Sequence, residues 1–540
     1  MLQISSRYLS PSLGIHQLIL LCAFLFTLLF NVAFFRNAEL VYGGSLQGWG
    51  FVGSLAVFLF AVTVLLLSLL CVRHATKPVL SILLLVGAGA SYFMNRFNII
   101  VDTTMLTNVA STDNKEVKDL LSLALVLQIM LLGILPVCLL WRTQIKCTKW
   151  LREVRNRMLL MAGAILLALI SIVPFTAEYA SYFREHKLLR YYANPVTAVY
   201  SSLRFISDAV ASVENAVRIP LGLGAHIPAG DLDRELIILV LGEAARADHL
   251  GLNGYARNTT PLLAKEDVIT LPDVSSCGTA TAYSVPCMFS LSDRSDFSIK
   301  EAGNSENLLD ILQHAGVGVL WRDNNSDSKG VTAAIEFQDF QTAANNQSCD
   351  DECRDIGMLD GLDEWISAHP TGDLTIVLHQ MGNHGPAYYK RYPAEYERFT
   401  PTCRSSELAN CTPAEIVNSY DNAILYTDYF LSQVIAFLKQ HDSKFETALL
   451  YMSDHGESLG EKGIYLHGLP YMLAPEAQKH VAGLLWFGDN YHVDQEMVKQ
   501  RTQAPLSHDD YFHTVLGLME IETPEYDPAK DWLAGAHLAE

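Results

Sequence analysis

Basic residues are scarce in the greater part of this chain. Residues 1–233 hold 18 of its 38 Lys and Arg and 12 of its 58 Asp and Glu, which leaves 20 basic against 46 acidic residues for 234–540. So acidic a region is excluded from nucleic-acid binding and gains nothing from electrostatic attraction to anionic lipid. If it handles an anionic substrate, a local cationic device must overcome that background. Paired C-x-x-C motifs are also missing, which argues against a cysteine-only zinc site. Internal repeats and low-complexity tracts are absent, so solenoid and disordered readings fall away. No small-residue cleavage site follows the first apolar run, which counts against a removed leader peptide.

What is there begins with long apolar runs that carry few charges. Five are long enough to cross a bilayer: Leu18 to Phe35, Trp49 to Val72, Pro78 to Met94, Leu120 to Trp141, and Met158 to Phe175. The link between the second and third carries Arg73 and Lys77, and that between the fourth and fifth carries Arg142, Lys146, Lys149, Arg152, Arg155 and Arg157. The alternate links have no such bias. Basic loops stay in the cytoplasm, so the N-terminus is expected inside and everything after Phe175 outside.

From Thr176 to about Asp233 the chain reads as a connector. SYFREHKLLRYYANPVTAVYSSLRFISDAV mixes aromatic, basic and apolar residues at helical spacing, as either an amphipathic element on the membrane surface or a plain interdomain helix pair would. PLGLGAHIPAGD follows as a Gly/Pro-rich linker. Beyond it, short apolar runs alternate with amphipathic stretches: ELIILVLGE, GVGVLW, LTIVLH, TALLYMSDHGE and VAGLLWFG. That alternation predicts a mostly parallel sheet covered by helices on both faces. In such sheets ligands bind beyond the carboxyl ends of the strands. Polar residues fall at those ends: Glu243 after the first run, His379 and His384 after the third, Asp454 and His455 after the fourth.

Four stretches can supply metal ligands there: LGEAAR gives Glu243, GNHG gives His384, SDHGES gives Asp454 and His455, and YLHG gives His467. Carboxylates with imidazoles suit zinc and leave room for an oxygen from a hydroxyl or a substrate. Singly, each has an ordinary reading, since an acidic residue after a strand is often a helix cap and most histidines sit in surfaces or cores. Their shared place at strand ends, each beside a glycine, is what joins them. Of ten cysteines, Cys22, Cys71, Cys138 and Cys147 lie in or beside the apolar runs. The other six fall in close pairs, Cys277 with Cys287, Cys349 with Cys353, and Cys403 with Cys411, which favours local disulfides in an oxidising compartment. The first pair would close CGTATAYSVPC, a loop with hydroxyls on Thr279, Thr281 and Ser284. A hydroxyl nucleophile needs a rigid mount beside its metal. Spacing does not choose among the three, although Ser284 is well placed to cap a following turn or helix.

GEAARADH, with alanine where the family has the threonine of GETARADH, together with SSCGTATAYSVPCMFS, WRDNNSDSKGV, LHQMGNHGPAYY, SYDNAILYTDYFLS and YMSDHGESLGEKGIYLHG, resembles the phosphoethanolamine lipid A transferases, close to the mobile colistin-resistance type. The likeness covers nearly the whole chain, including the VDTTMLTN loop before the fourth span. It implies an N-terminal five-helix transmembrane domain over 1–175, an amphipathic connector and linker over 176–233, and a C-terminal α/β periplasmic domain of the alkaline phosphatase and sulfatase type over 234–540. By motif, the zinc ligands are Glu243, Asp454 and His455 with Thr281, which is also the nucleophile. His384 and His467 match second-site or substrate-binding histidines, and Thr279, Asn325 and Lys329 match positions lining the phosphoethanolamine pocket. One zinc is implied and a second is allowed. SDSKGV lacks a cysteine pair found in some members.

The same resemblance implies the reaction. A zinc-activated Thr281 takes phosphoethanolamine from phosphatidylethanolamine, diacylglycerol leaving with help from a protonated His384 or His467, and passes it to a lipid A phosphate. Zinc, Lys329 and Arg246 would be the cationic device. The setting is a monomer in the bacterial inner membrane, among membrane lipids and without nucleic acid, and the outcome is weaker polymyxin binding. A sulfatase-like hydrolase or a glycerol-phosphate transferase is the main rival, although the modified cysteine or serine motif of sulfatases is missing. A sensor or scaffold with structural zinc would leave the hydroxyl-rich loop unexplained.

Overall fold

The structure, a computed structural model, describes residues 12–538 apart from 112–116, 119, 147–148, 185, 213–217 and 232, so Cys147 lies outside the described residues. The chain divides into two compact units, residues 1–106 with 121–206 and residues 107–120 with 207–540.

The first unit is helical. Leu46–Leu70, Thr76–Phe97, Leu123–Arg142 and Trp150–Phe183 are each long and apolar enough to cross a membrane. Ile15–Leu29 and Val32–Tyr42 make a fifth span only as a pair bent by 55°. The run from Leu18 to Phe35, expected to be continuous, is therefore broken at Phe30 and Asn31. Asn31 sits at the break with its side chain satisfied. Its Nδ2 donates to the carbonyls of Phe26 at 2.9 Å and Asn194 at 2.6 Å, and its Oδ1 accepts the Asn194 N–H at 2.8 Å. A polar group in an apolar setting must find such partners, and here they pin the connector to the first span. The last span also starts earlier than its apolar run. Its helix begins at Trp150, so Arg152, Arg155 and Arg157 lie on its first turns and not in a loop.

In the second unit Glu235–Gly242 (β1), Ile269–Thr270 (β2), Gly318–Asp323 (β3), Glu336–Asp339 (β4), Leu374–His379 (β5), Glu446–Ser453 (β6) and Gly483–Phe487 (β7) form one sheet, ordered β2-β7-β6-β1-β5-β3-β4. The five strands from β6 to β4 are parallel, and β7 is antiparallel to both its neighbours. β1, β5 and β6 are buried along their whole length, which is why they read as continuous apolar runs without alternation. Each Leu, Ile or Val fully buried there contributes about 1.5–3 kcal/mol. Register then sets the site. Leu241 pairs with both His379 and Met452, and Asp323 with His379, so β3, β5, β1 and β6 end level with one another. Two helices complete the frame: Thr281–Met288 (α1) and Pro413–His441 (α2), the latter started by a Thr412/Glu415 capping box and a first-turn proline.

Candidate active site

Glu243 is carried on a tightly constrained strand end. A Cβ on Gly242 would lie 2.6 Å from the Tyr451 ring, so only glycine lets β1 pass there. Ala244 then takes φ +55°, a left-handed conformation that costs an L-residue roughly 1–2 kcal/mol. Its peptide is held in place: the N–H donates to Asp454 Oδ1 at 3.2 Å, and the carbonyl accepts from Tyr420 Oη of α2 at 2.6 Å. Strain of this kind persists where the surroundings over-determine it.

Thr281 is the first residue of α1, preceded by extended Ala280, so its hydroxyl stands at a helix N-terminus, where negative charge is favoured. The mount is cross-linked. Cys277 and Cys287 form a disulfide, as do Cys349 with Cys353 and Cys403 with Cys411. The three hydroxyls do different things. Thr281 Oγ1 donates to Glu243 Oε2 at 3.0 Å and lies 3.3 Å from His455 Nε2. Thr279 Oγ1 donates to the Leu469 carbonyl at 2.6 Å. Ser284 lies inside α1, not at its cap, and its Oγ accepts the Gly278 N–H at 2.8 Å, which ties the loop from within the helix.

Glu243 is the hub. Its Oε2 also accepts from Asn325 Nδ2 at 2.9 Å, and its Oε1 lies 3.2 Å from His384 Nδ1 and 3.4 Å from His455 Nε2. Burial opposes its ionisation, but the His455, His384 and His467 imidazoles outweigh that and hold its carboxyl well below the usual range. Asp454 goes the other way, pushed up by burial and by the Glu243 carboxylate. His455 Nδ1 lies 2.9 Å from the Gly456 carbonyl, which can only accept, so Nδ1 carries a proton and Nε2 is the nitrogen that faces Thr281, Glu243 and Asp454. Among the described residues Asp454 Oδ2 has no hydrogen-bond partner; it is buried, 3.4 Å from the same Nε2. An orphaned carboxylate oxygen, a second carboxylate and an imidazole nitrogen converge here, an arrangement that suits a cation. Glu243, His455 and His467 present ligand atoms within 4.8 Å of one another, and this donor set fits zinc.

The remaining expected residues are supports. Asn325 is linked onward, since its Oδ1 accepts from Ser326 Oγ at 2.8 Å, which in turn accepts from Lys329 Nζ at 2.8 Å. The His467 ring lies tilted beside that of His455 with centres 4.2 Å apart, and its Nδ1 lies 3.1 Å from Glu457 Oε2. Burial works against a charged His467, but Glu457 and Glu243 outweigh it and hold the imidazole above its ordinary pKa. Arg246 brings no spare charge. Its guanidinium pairs with Asp248 at 2.7 Å and Glu461 at 2.5 Å, so the expectation that it serves a phosphate is corrected.

Three buried groups were missed by sequence reasoning. Glu457, wholly buried beside His467, was hidden within SDHGES as one more acid. Asp355 accepts the N–H groups of Met381 at 2.9 Å and Gly382 at 3.2 Å and the Asn324 side chain at 2.8 Å, so it fixes the loop that brings His384 to Glu243. His508, in a stretch that reads as an ordinary helix start, joins the loop before Thr281 to the end of β6.

Comparison with known proteins agrees across both units. The sulfatase family model matches residues 235–521, and that described as phosphoethanolamine transferase EptA/EptB matches residues 59–210. The chain is 42% identical over 503 residues to phosphatidylethanolamine transferase Mcr-2 of Escherichia coli, covering 91% of this chain and 92% of that one. It is 39% identical over 535 residues to phosphoethanolamine transferase EptA of Escherichia coli K12, covering 97% of each. Its structure is similar to that of the integral membrane lipooligosaccharide phosphoethanolamine transferase A from Neisseria meningitidis, with a TM-score of 0.94, 36% identity, and coverage of 98% of this chain and 100% of the other.

Proposed function

Since this chain belongs to the phosphoethanolamine transferase family, we propose that it moves phosphoethanolamine from phosphatidylethanolamine to a phosphate of lipid A, with Thr281 as the carrier. The observation that carries this reading is the Thr281 hydroxyl at the start of α1, 3.0 Å from Glu243 and 3.3 Å from His455. The reaction belongs on the periplasmic side of the bacterial inner membrane, with the N-terminus in the cytoplasm. The basic residues at the inner ends of the spans support that orientation.

Glu243, Asp454 and His455 would hold a zinc ion together with Thr281, and His384 and His467 would face the substrate. Bound zinc would acidify the Thr281 hydroxyl and offset charge on the phosphoryl oxygens. Thr281, oriented by its hydrogen bond to Glu243 Oε2, loses its proton to solvent as its Oγ1 bonds to the phosphorus of phosphatidylethanolamine. The bond from phosphorus to the diacylglycerol oxygen breaks, and that oxygen takes a proton from His467, which Glu457 helps to keep charged. In the second step an oxygen of the lipid A phosphate attacks, its P–OH proton reloads His467, and the Thr281 oxygen leaves and recovers a proton from solvent. Asn325 holds the Glu243 carboxylate in place throughout, and the Lys329 ammonium supports Asn325 through Ser326. The transferred ethanolamine carries an ammonium group, so modified lipid A binds cationic polymyxins less well.

The test is to incubate the enzyme with phosphatidylethanolamine alone, digest it, and locate phosphoethanolamine by mass. An adduct on Thr281 is expected. An adduct on Thr279 or Ser284 moves the nucleophile, and none at all during turnover overturns the carrier. Lipid A from cells with and without the gene, compared by mass, tests the acceptor, and an unchanged profile in the presence of expressed protein sinks that assignment.

A further inference from the structure

Two cations flank one aromatic ring beside the nucleophile loop. The Arg294 guanidinium lies 4.0 Å and the Lys479 ammonium 5.4 Å from the centre of the Tyr471 ring. These segments brace the mount of Thr281. The Ser276 N–H donates to the Lys479 carbonyl at 2.7 Å, the Gly468 N–H to the Thr279 carbonyl at 2.7 Å, and the Thr279 hydroxyl to Leu469. Arg294 follows α1 in the chain and lies close enough to Tyr283 of that helix for its charge to act on the phenol.

Of the acids near Arg294, Asp293 pairs with Lys530 at 2.5 Å, and Asp509 accepts the Arg294 backbone N–H at 2.7 Å and feels the Arg294 charge without pairing with the guanidinium. Among the described residues no carboxylate pairs with the Arg294 guanidinium. Lys479 pairs with Glu476 at 2.7 Å, but that carboxylate is 82% exposed and the pair is correspondingly weak. In a region with 20 basic against 46 acidic residues, cations kept from strong partners beside a phosphoryl-transfer loop mark a place for an anion. Exposed apolar side chains neighbour them in the chain, Met472 next to Tyr471 at 82% exposure and Leu291 three residues before Arg294 at 38%. Cations next to bare apolar groups suit an anionic amphiphile.

We propose that Arg294, Lys479 and Tyr471, with Met472 and Leu291, form the docking surface for the acceptor, a phosphorylated glycolipid whose anionic group meets the cations while an acyl chain covers Met472. This rests on the transferase reading above. The acceptor fits better than the donor because phosphatidylethanolamine carries its own compensating ammonium and offers two cations no net charge.

The two half-reactions of the full-length enzyme in detergent micelles separate the possibilities. Diacylglycerol release from phosphatidylethanolamine reports loading, and modified lipid A reports transfer. Arg294→Gln combined with Lys479→Gln is expected to raise the apparent KM for lipid A about tenfold or more, the size of a lost charged hydrogen bond, with kcat and diacylglycerol release unchanged. Arg294→Lys should keep most of the affinity, and Met472→Ser should raise KM by less. An unchanged KM for lipid A overturns the proposal, as does an equal loss in both half-reactions. Weaker binding of the double variant to phosphatidylglycerol vesicles with unaltered lipid A kinetics assigns the surface to bulk lipid and also overturns it. Wild-type enzyme that releases diacylglycerol yet leaves lipid A unmodified refutes the acceptor assignment itself, a result visible without any variant.

Discussion

His508 Nδ1 accepts the backbone N–H of Cys277 at 3.0 Å, while its Nε2 donates to the Ser453 carbonyl at 3.0 Å. A single neutral imidazole thus joins the loop that mounts Thr281 to the strand end that carries Asp454 and His455. Burial pushes its pKa down to about 3, so both bonds persist at any ordinary pH. His508→Ala strands two buried backbone groups, each costing about 1–3 kcal/mol. Turnover should fall more steeply than the melting temperature, measured on the same preparation. Full turnover by a less stable enzyme would show the bridge to be merely structural.

The metal residues should separate into two groups. Glu243→Gln, Asp454→Asn and His455→Ala are each expected to remove bound zinc and activity together. His384→Ala and His467→Ala should lose most activity while one zinc per chain remains. Metal analysis of the purified variants decides, and an empty His384 or His467 variant contradicts the division.

Breaking the disulfides should not be equivalent. The Cys277–Cys287 bridge brackets the helix start at Thr281, whereas Cys403–Cys411 lies before α2. Replacing the first pair by serine is expected to lower transfer more than replacing the second. Equal losses, followed by activity and thermal melting, would point to folding in general.

A pH effect on stability should come from the far end of the sheet. Glu235 begins β1 and its backbone N–H donates to Asp373 Oδ1 at 3.2 Å. Burial first, then the Asp373 and Asp231 carboxylates, push its pKa well above the usual carboxyl range. The folded chain therefore keeps a proton that the unfolded chain loses at about pH 4.3. Stability contributed below that pH declines as pH rises toward the folded value. Glu235→Gln removes the titration, so its melting temperature should gain on wild type steadily between pH 5 and 9. Parallel curves would sink the assignment.

The strands and most polar residues at their ends were legible because a buried parallel strand is a plain apolar run, and whatever polar group follows it stands out. Glu243, His384, Asp454 and His455 were found that way, and the structure gathers them at one rim. Groups that act across the fold left no such signal. Asp355 and His508 work by accepting or bridging backbone groups distant in sequence, and nothing local distinguishes them from a turn acid or a core histidine. Arg246 misled for the converse reason: next to Glu243 it looked like a phosphate ligand, but Asp248 and Glu461 take its guanidinium. The break at Asn31 was invisible because its partner, Asn194, lies beyond the last span.

The strand order also dictates when the centre can exist during folding. β1 pairs with β6, Glu235 opposite Glu446, so Glu243 and Asp454 meet only after the intervening chain has been laid down and looped back. Closing so long a loop is slow compared with forming a local helix or hairpin. Strong chelation by these groups would therefore wait for the sheet, and uptake of the proposed ion would be a late event that reports a finished domain. A chain halted partway offers only separate, weak donors, and it would remain inert toward lipid while still incomplete.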